Sequence, residues 1–189
     1  AEMFELAGAL ETRGDTLHFQ PYTLDIPSYL GAAELDPEGQ DLIQTRNAHQ
    51  WRRVKYSYMD CRREANRVGL VIRGPRKIFD SSLAHIAFYF AQEQGDFAPF
   101  HNAVFERFWR RELDIENVDV LAALLDETGY DPGGFTDYIN GEGRRKHDRE
   151  RVQAEELGVF GVPSLLVDSE LFWGAERVVR ARERMNLAN

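Results

Sequence analysis

The sequence of 189 residues predicts an α/β protein in which a small β-sheet carries a large all-helical insertion. Patterns typical of β-strands occur only near the start of the chain, at 16–22, and near its end, at 164–167 and 171–173. The residues between them fit a series of helices, and the sequence shows no internal repeat. A small sheet with a helical insertion is the simplest architecture that fits this order.

The individual elements follow from the spacing of apolar residues and from Gly and Pro breakers. Loops are predicted at 23–46, which is rich in Pro and Gly, and at 71–79. Helices are predicted at 2–13, 47–68, 97–109, 118–128, 135–139, 144–157 and 178–187, and another is predicted to start at 80–82. We expect residues 1–45 and 141–189 to form one domain and residues 46–140 to form the helical insertion.

The composition is that of an ordinary globular protein, with 43% hydrophobic and 29% charged residues. No apolar run approaches the roughly 18 to 20 residues that cross a bilayer, and the N-terminus lacks a secretion-signal pattern. The single cysteine, Cys61, leaves no internal disulfide and fits a reducing compartment. We therefore expect a cytoplasmic protein without a membrane partner.

The distribution of charge gives a first indication of the ligand. The net charge of −9 argues against nucleic acid as a partner. Between Arg46 and Lys77, however, ten basic residues stand against two acidic ones. This segment fits either a solvated helix face or a cationic surface that attracts a small anionic ligand.

The most specific segment is 159–168, which reads Val-Phe-Gly-Val-Pro-Ser-Leu-Leu-Val-Asp. A strand directly after Val-Pro, a tight reversal and a second strand resemble the late half of the thioredoxin fold, in which the proline is cis. In that fold the cis proline exposes the main-chain N–H and C=O of the preceding residue, here Val162, to a peptide-like thiol ligand. On Gly-Val-Pro alone, a plain entry from loop to strand at Pro163 is the alternative.

With the continuation Glu-Leu-Phe-Trp-Gly-Ala-Glu-Arg at 170–177, the segment closely resembles the signature of the 2-hydroxychromene-2-carboxylate isomerase and kappa-class glutathione transferase family, which has a DsbA-like thioredoxin fold. The resemblance implies a glutathione-dependent isomerase of a small aromatic carboxylate, in which the thiol adds transiently to an unsaturated carbon. It implies that glutathione is bound by Val162, Pro163, Trp173, Gly174, Ala175 and Glu176.

Glu176 stands where the family has Asp, and the resemblance implies that it meets the ammonium group of glutathione. Its alternative role is a favourable negative charge in the first turn of a helix.

The resemblance extends to the predicted helix at 47–68, where Asn47, Arg53, Tyr56 and Asp60 match the family pattern Asn-x5-Lys-x2-Tyr-x3-Asp, with Arg in place of Lys. It implies that Arg53 binds a carboxylate of the substrate or of glutathione, and arginine can do so with two hydrogen bonds. We assign Asn47 and Arg53 to the substrate.

Phe79 and Asp80, followed by Ser81, resemble an aromatic-Asn-Ser element that lines the substrate site. Here Asp80 places a negative charge where the family has a neutral amide. A helix N-cap is an equally good account of Asp80.

The family's Ser-Pro-aromatic motif, whose serine helps hold the thiolate, is absent from this sequence, as is Cys-x-x-Cys. The catalytic residue is therefore unassigned, and we expect roughly 20 further residues upstream, enough for a strand and a turn. Without that strand, 16–22 cannot pair with 164–167. A dithiol oxidoreductase resembling DsbA stays open if the upstream segment holds Cys-x-x-Cys, as does a binding protein without turnover.

The remaining candidates for chemistry have simpler interpretations. The five histidines lack zinc-ligand spacing, so no metal site is predicted. His147 lies in a run of alternating charge and is interpreted as part of a solvated helix face, whereas Trp109 is assigned to core packing. Members of the family are commonly dimers, so we expect a homodimer.

Overall fold

The computed structural model of the protein describes residues 2–24, 48–75 and 77–187. A short 3₁₀ helix, Ala175–Arg177, precedes the last α-helix. In chain order the other elements are α1 (Glu2–Arg13), α2 (Ala48–Arg67), α3 (Ser82–Gln94), α4 (Ala98–Arg110), α5 (Val118–Glu127), α6 (Phe135–Asn140), α7 (Glu142–Glu156), β1 (Ser164–Val167), β2 (Glu170–Trp173) and α8 (Val178–Arg184). Every helix end that the sequence predicted lies within three residues of the observed one; for α3 only the start was predicted. Most of the loop predicted at 23–46 lies outside the described residues.

The chain divides into two compact units. One comprises Ala1–Leu24 and Asp148–Asn189, and the other comprises Asp25–His147, so α7 contributes residues to both. The domain boundaries expected from the sequence, at 45/46 and 140/141, stay a prediction. Among the described residues, no helix combines the length and apolar composition needed to span a bilayer.

The first unit is built around a β-hairpin. Strands β1 and β2 pair antiparallel, with Ser164 opposite Trp173 and Val167 opposite Glu170. The two connecting residues, Asp168 and Ser169, both have positive φ, at 49° and 69°. Two such residues form the kind of tight turn whose twist matches that of the flanking strands.

One face of the hairpin forms the core of this unit. Because side chains alternate along a strand, Leu165 points inward and is 5% exposed, whereas Leu166 points outward and is 44% exposed. The inward face packs against α1 and α8, which contribute Leu6, Leu10, Val178 and Ala181. Arg184 of α8 also forms ion pairs with Asp168 at 3.2 Å and Glu170 at 3.3 Å.

The strand predicted at 16–22 is absent: these residues form no regular secondary structure. Their side chains nevertheless pack, since Leu17 lies against the core and Phe19 stacks on Phe4 with ring centroids 5.3 Å apart. A strand requires a neighbour for its main-chain N–H and C=O groups. In the described part of the chain, the sheet contains only β1 and β2, so the apolar alternation of 16–22 is satisfied by packing alone.

The second unit has an all-helical core around α3, whose Ile86 and Ala87 are fully buried. The surrounding helices contribute Phe100 from α4, Leu121, Leu124 and Leu125 from α5, and Phe135 and Ile139 from α6. Helix α7 approaches this core closely at Gly143. A Cβ atom there would lie 2.4 Å from the Tyr138 ring and 2.7 Å from Cγ2 of Ile86, so the helices meet where no side chain fits.

Candidate functional site

The residues predicted to bind glutathione are contiguous in the first unit, where they flank one end of the hairpin. The main-chain N–H of Gly174 donates to the C=O of Pro163 at 3.0 Å. Trp173, at the end of β2, lies opposite Ser164, at the start of β1. The hairpin therefore connects the loop at 159–163 to the turn at 174–177.

The peptide bond between Val162 and Pro163 is cis, which confirms the sequence prediction. Val162 is 64% exposed. Its main-chain N–H and C=O make no hydrogen bond within the described part of the chain. This residue therefore offers a donor and an acceptor at the surface, which is the arrangement that an extended peptide can pair with.

Two exposed aromatic rings lie at the loop that carries Val162. Phe160 and Trp173 are 56% and 50% exposed. Their ring centroids are 4.9 Å apart, with the planes tilted by 49°. Phe160 was not a predicted site residue, although an aromatic side chain directly before Gly-Val-Pro was the available signal. Together with Val162 they form an exposed apolar group of the kind that marks ligand or partner sites.

The turn after β2 places the Glu176 carboxylate next to the main chain of Gly174. Gly174 has φ of +101°, and a Cβ atom there would lie 2.8 Å from Oε2 of Glu176. A residue with a side chain would be strained in this conformation and would also meet the carboxylate. Ala175 and Glu176 are exposed and belong to the 3₁₀ helix that leads into α8. The acidic group is therefore accessible at the surface, next to the loop that carries Val162.

The residues predicted to bind the substrate belong to the second unit. Asn47 lies outside the described residues. Arg53 is exposed on α2, a helix whose only buried side chain is Ala65. Six basic residues stand against two acidic ones along α2, and two of the six form ion pairs, Arg63 with Asp60 and Arg67 with Glu64. The described part of α2 therefore presents a cationic surface that includes Arg53.

Phe79 lines a pocket of about 480 Å³ in the second unit. The ring of Phe79 meets Phe108 edge-on with centroids 5.3 Å apart, and Nζ of Lys77 lies 4.9 Å from the Phe79 centroid. The other residues that line this pocket are Pro75, Arg111, Glu112, Leu113, Asp114 and Glu116.

The charges around this pocket do not select an anion. Lys77 forms an ion pair with Glu116, and Nε of Arg111 donates to the C=O of Gly74 at 2.8 Å. The lining contains three acidic residues and two basic ones, so the net charge of the pocket wall is slightly negative. The pocket thus provides aromatic surface, whereas the cationic surface lies on α2.

Asp80 lies one residue before Ser81, the N-cap of α3, and its side chain binds the first turn of the helix. Its Oδ1 accepts a hydrogen bond from the N–H of Ser82 at 2.8 Å, and its own N–H donates to Oε1 of Glu116 at 2.8 Å. Partial burial raises the pKa of the Asp80 carboxyl, but the hydrogen bonds from Ser82 and the charges of Arg144 and His147 hold it below its ordinary value. The capping account of Asp80 has direct structural support, and a role toward substrate stays a prediction.

A buried polar cluster next to Asp80 was not predicted. It comprises Ser82 and His147, each 5% exposed, together with the half-buried His85 and Arg144. The interpretation of His147 as part of a solvated face was wrong, because α7 turns Gly143 and His147 toward α3. These positions are four residues apart and so share one face of the helix. In the sequence, only this spacing within an otherwise charged helix indicated that His147 is buried.

Comparison with known proteins identifies the fold. A family model described as a DSBA-like thioredoxin domain matches residues 26–186. A solved structure of selenomethionine 2-hydroxychromene-2-carboxylate isomerase superposes with a TM-score of 0.67 at 20% identity, covering 98% of this chain and 87% of that one. The described helices and the hairpin are therefore parts of a DsbA-like thioredoxin fold with a large helical insertion.

Three curated proteins, each named 2-hydroxychromene-2-carboxylate isomerase, are similar in sequence. The protein from Sphingobium xenophagum is 24% identical over 167 residues, which cover 87% of this chain and 80% of that protein. The protein from Pseudomonas putida is 26% identical over 136 residues, or 70% and 66% of the two chains. The protein from Pseudomonas sp. (strain C18) is 23% identical over 159 residues, or 83% and 71%. On the extent of the domain match, this chain belongs to the DsbA-like thioredoxin domain family.

Proposed function

We propose that this protein is a glutathione-dependent isomerase that acts on a small aromatic carboxylate. The observation that carries the proposal is the exposed residue Val162, whose main-chain donor and acceptor make no hydrogen bond in the described part of the chain. The names of the three curated relatives support an isomerase and suggest 2-hydroxychromene-2-carboxylate as the first substrate to test.

The residues around the hairpin fit a tripeptide such as glutathione. An extended peptide could pair with the N–H and C=O of Val162 as a strand pairs with a sheet edge. The exposed carboxylate of Glu176 could then meet the ammonium group at the γ-glutamyl end, because opposite charges favour that contact. When bound, glutathione would supply a thiol that adds reversibly to an unsaturated carbon of the substrate and so permits rotation about the bond.

The substrate side of the proposal rests on charge. Arg53 lies on the cationic surface of α2, and its planar guanidinium can hold a carboxylate with two parallel hydrogen bonds. Asn47 is proposed beside it from the family pattern. Phe79, whose ring lines the aromatic pocket, would offer surface to an aromatic ring. We propose that Arg53 and Asn47 bind and orient the carboxylate and do not transfer protons.

Calorimetric titration with glutathione tests the binding site. Val162→Pro removes the N–H donor and should weaken binding by about tenfold, the size of one well-placed hydrogen bond to a ligand. Val162→Ile is the matched control, because it keeps both the main-chain N–H and an apolar side chain and should bind as the wild type does. Glu176→Ala should weaken binding by a similar factor. Glu183→Ala, which changes an exposed glutamate of the following helix α8, should leave binding unchanged.

Turnover of 2-hydroxychromene-2-carboxylate tests the activity. We expect isomerisation that depends on added glutathione and that Arg53→Ala reduces mainly through a higher KM. Isomerisation without glutathione, or unchanged glutathione affinity in both Val162→Pro and Glu176→Ala, would contradict the proposal. Reduction of a disulfide substrate without isomerisation would instead indicate the dithiol oxidoreductase.

A homodimer and a cytoplasmic location remain part of the proposal.

A further inference from the structure

The indole of Trp173 lies directly against the main chain of Gly161. A Cβ atom built on Gly161 would be 2.8 Å from Nε1 of Trp173, 3.6 Å from Cε2 and 3.7 Å from Cδ1. Real Cβ atoms do not approach a ring this closely, so only glycine fits at 161 while the indole keeps its place. Half of Trp173 is exposed, so this ring is not a buried core residue.

The peptide group between Gly161 and Val162 is held at its other end by Ser164. The Ser164 hydroxyl donates to the C=O of Gly161 at 2.7 Å. Because a trans peptide is planar, its C=O and N–H point in opposite directions. Fixing the Gly161 C=O toward Ser164 therefore directs the N–H of Val162 away from Ser164, and that N–H is the proposed donor to the ligand.

Trp173 is itself held in place on two sides. The hairpin register sets it opposite Ser164, and the Phe160 ring packs beside it at 4.9 Å between centroids. The Gly161–Val162 peptide thus lies between a fixed indole and a fixed hydroxyl. Both come from the hairpin rather than from the loop that carries the peptide.

We propose that Trp173 is a positioning residue that fixes the direction of the Val162 N–H by packing on Gly161. The inference concerns the site of the proposed function and rests on that function for its ligand. It differs from the family-implied role of Trp173, because the indole acts through Gly161 and need not touch glutathione. The test is therefore whether Gly161 and Trp173 act as one unit.

The experiment compares Gly161→Ala, Trp173→Ala and the double variant. The first readout is the amide resonance of Val162 in a ¹⁵N–¹H spectrum without ligand, and the second is the glutathione Kd from calorimetry. In Gly161→Ala the new methyl group collides with the indole, so the resonance should shift and the Kd should rise at least about tenfold. In the double variant the methyl group has room, so the Kd should match that of Trp173→Ala alone, and the shift of the Val162 resonance should differ from the sum of the two single shifts.

Gly8→Ala is the matched control, because a Cβ at Gly8 has no heavy atom within 4 Å. It should change neither the Val162 resonance nor the Kd. Trp173→Phe, which keeps a ring against Gly161, should lie closer to the wild type than Trp173→Ala. Circular dichroism melts of each variant establish that it is folded before the readouts are compared.

The outcomes separate this inference from the proposed function. Effects of the two substitutions on the Val162 resonance and on the Kd that simply add would overturn the positioning role. Non-additive shifts of the resonance in a protein that binds no glutathione would uphold the positioning role and reject the proposed ligand.

Discussion

The imidazole rings of His85 and His147 lie 6.2 Å apart between centroids, tilted by 33°, where α3 meets α7. Ser82, Asp80 and Arg144 complete the polar surroundings, with the Arg144 guanidinium donating to the Ser82 hydroxyl at 3.4 Å. The position of His85 in this cluster makes the stability of the second unit sensitive to pH.

The first prediction concerns the pH dependence of folding through His85. Burial, and then the charge of His147, lower the pKa of His85 from 6.5 to about 4, which Asp80 only partly offsets. The unfolded chain therefore binds a proton between these values that the folded chain does not, so stability is lost as pH falls from 6.5 toward 4. In urea unfolding at about pH 7 and about pH 5, His85 should account for roughly 2 kcal/mol of the difference.

His85→Gln should remove that part of the pH dependence. His18→Gln, at an exposed histidine of the first unit, is the control and should leave the slope as in the wild type. The same slope in His85→Gln and the wild type would contradict the assignment.

A second prediction tests the close contact of α7 with α3 and α6. Gly143→Ala places a methyl group 2.4 Å from the Tyr138 ring and 2.7 Å from Ile86, so the helices must separate. We expect a loss of about 1–3 kcal/mol in the free energy of unfolding, the usual cost of overpacking. Gly8→Ala on α1 should instead stabilise by roughly 0.5–1 kcal/mol, because alanine is the better helix former.

A third prediction concerns Glu93, which joins three helices. Its Oε1 accepts hydrogen bonds from the Tyr138 hydroxyl at 2.6 Å and from Nζ of Lys146 at 2.9 Å. Partial burial raises the pKa of Glu93, but these two bonds hold that pKa below its ordinary value. The contribution of Glu93 to stability is therefore present above the ordinary pKa and is lost as pH falls through the lowered one.

Glu93→Gln should cost about 1–2 kcal/mol in thermal or urea unfolding at neutral pH, because the charged acceptor is lost. Glu142→Gln removes the exposed ion pair with Arg145 and should cost about 0.5 kcal/mol or less. Equal costs for the two substitutions would show that Glu93 contributes no more than a surface charge.

A fourth prediction separates the cap from the charge at Asp80. Asp80→Ala leaves the N–H of Ser82 without its acceptor and should cost about 1 kcal/mol. Asp80→Asn keeps an oxygen acceptor, so it should cost less than half as much in the same unfolding measurement. A loss as large in Asp80→Asn as in Asp80→Ala would mean that the charge near Arg144 and His147, rather than the cap, is what stabilises.

The helices and the hairpin could be predicted from the sequence because their signals are local. Apolar spacing and Gly or Pro breakers located the predicted ends of α1 to α8 to within three residues, although no end was predicted for α3. The motif at 159–177 predicted the hairpin and the cis bond before Pro163, since a recurring segment brings its own backbone conformation. Which ligand occupies this end of the hairpin stays a prediction.

Tertiary structure alone decided the features that depend on a neighbour. Residues 16–22 have the alternation of a strand but not the secondary structure, because a strand needs a partner for its main chain. His147 is buried because α3 lies against its face of α7, although its sequence neighbours are charged. The contact of Trp173 with Gly161 likewise exists only once β2 folds back on β1. The spacing of apolar residues in the sequence predicts the helices and strands, whereas the burial of each face depends on which element packs against it.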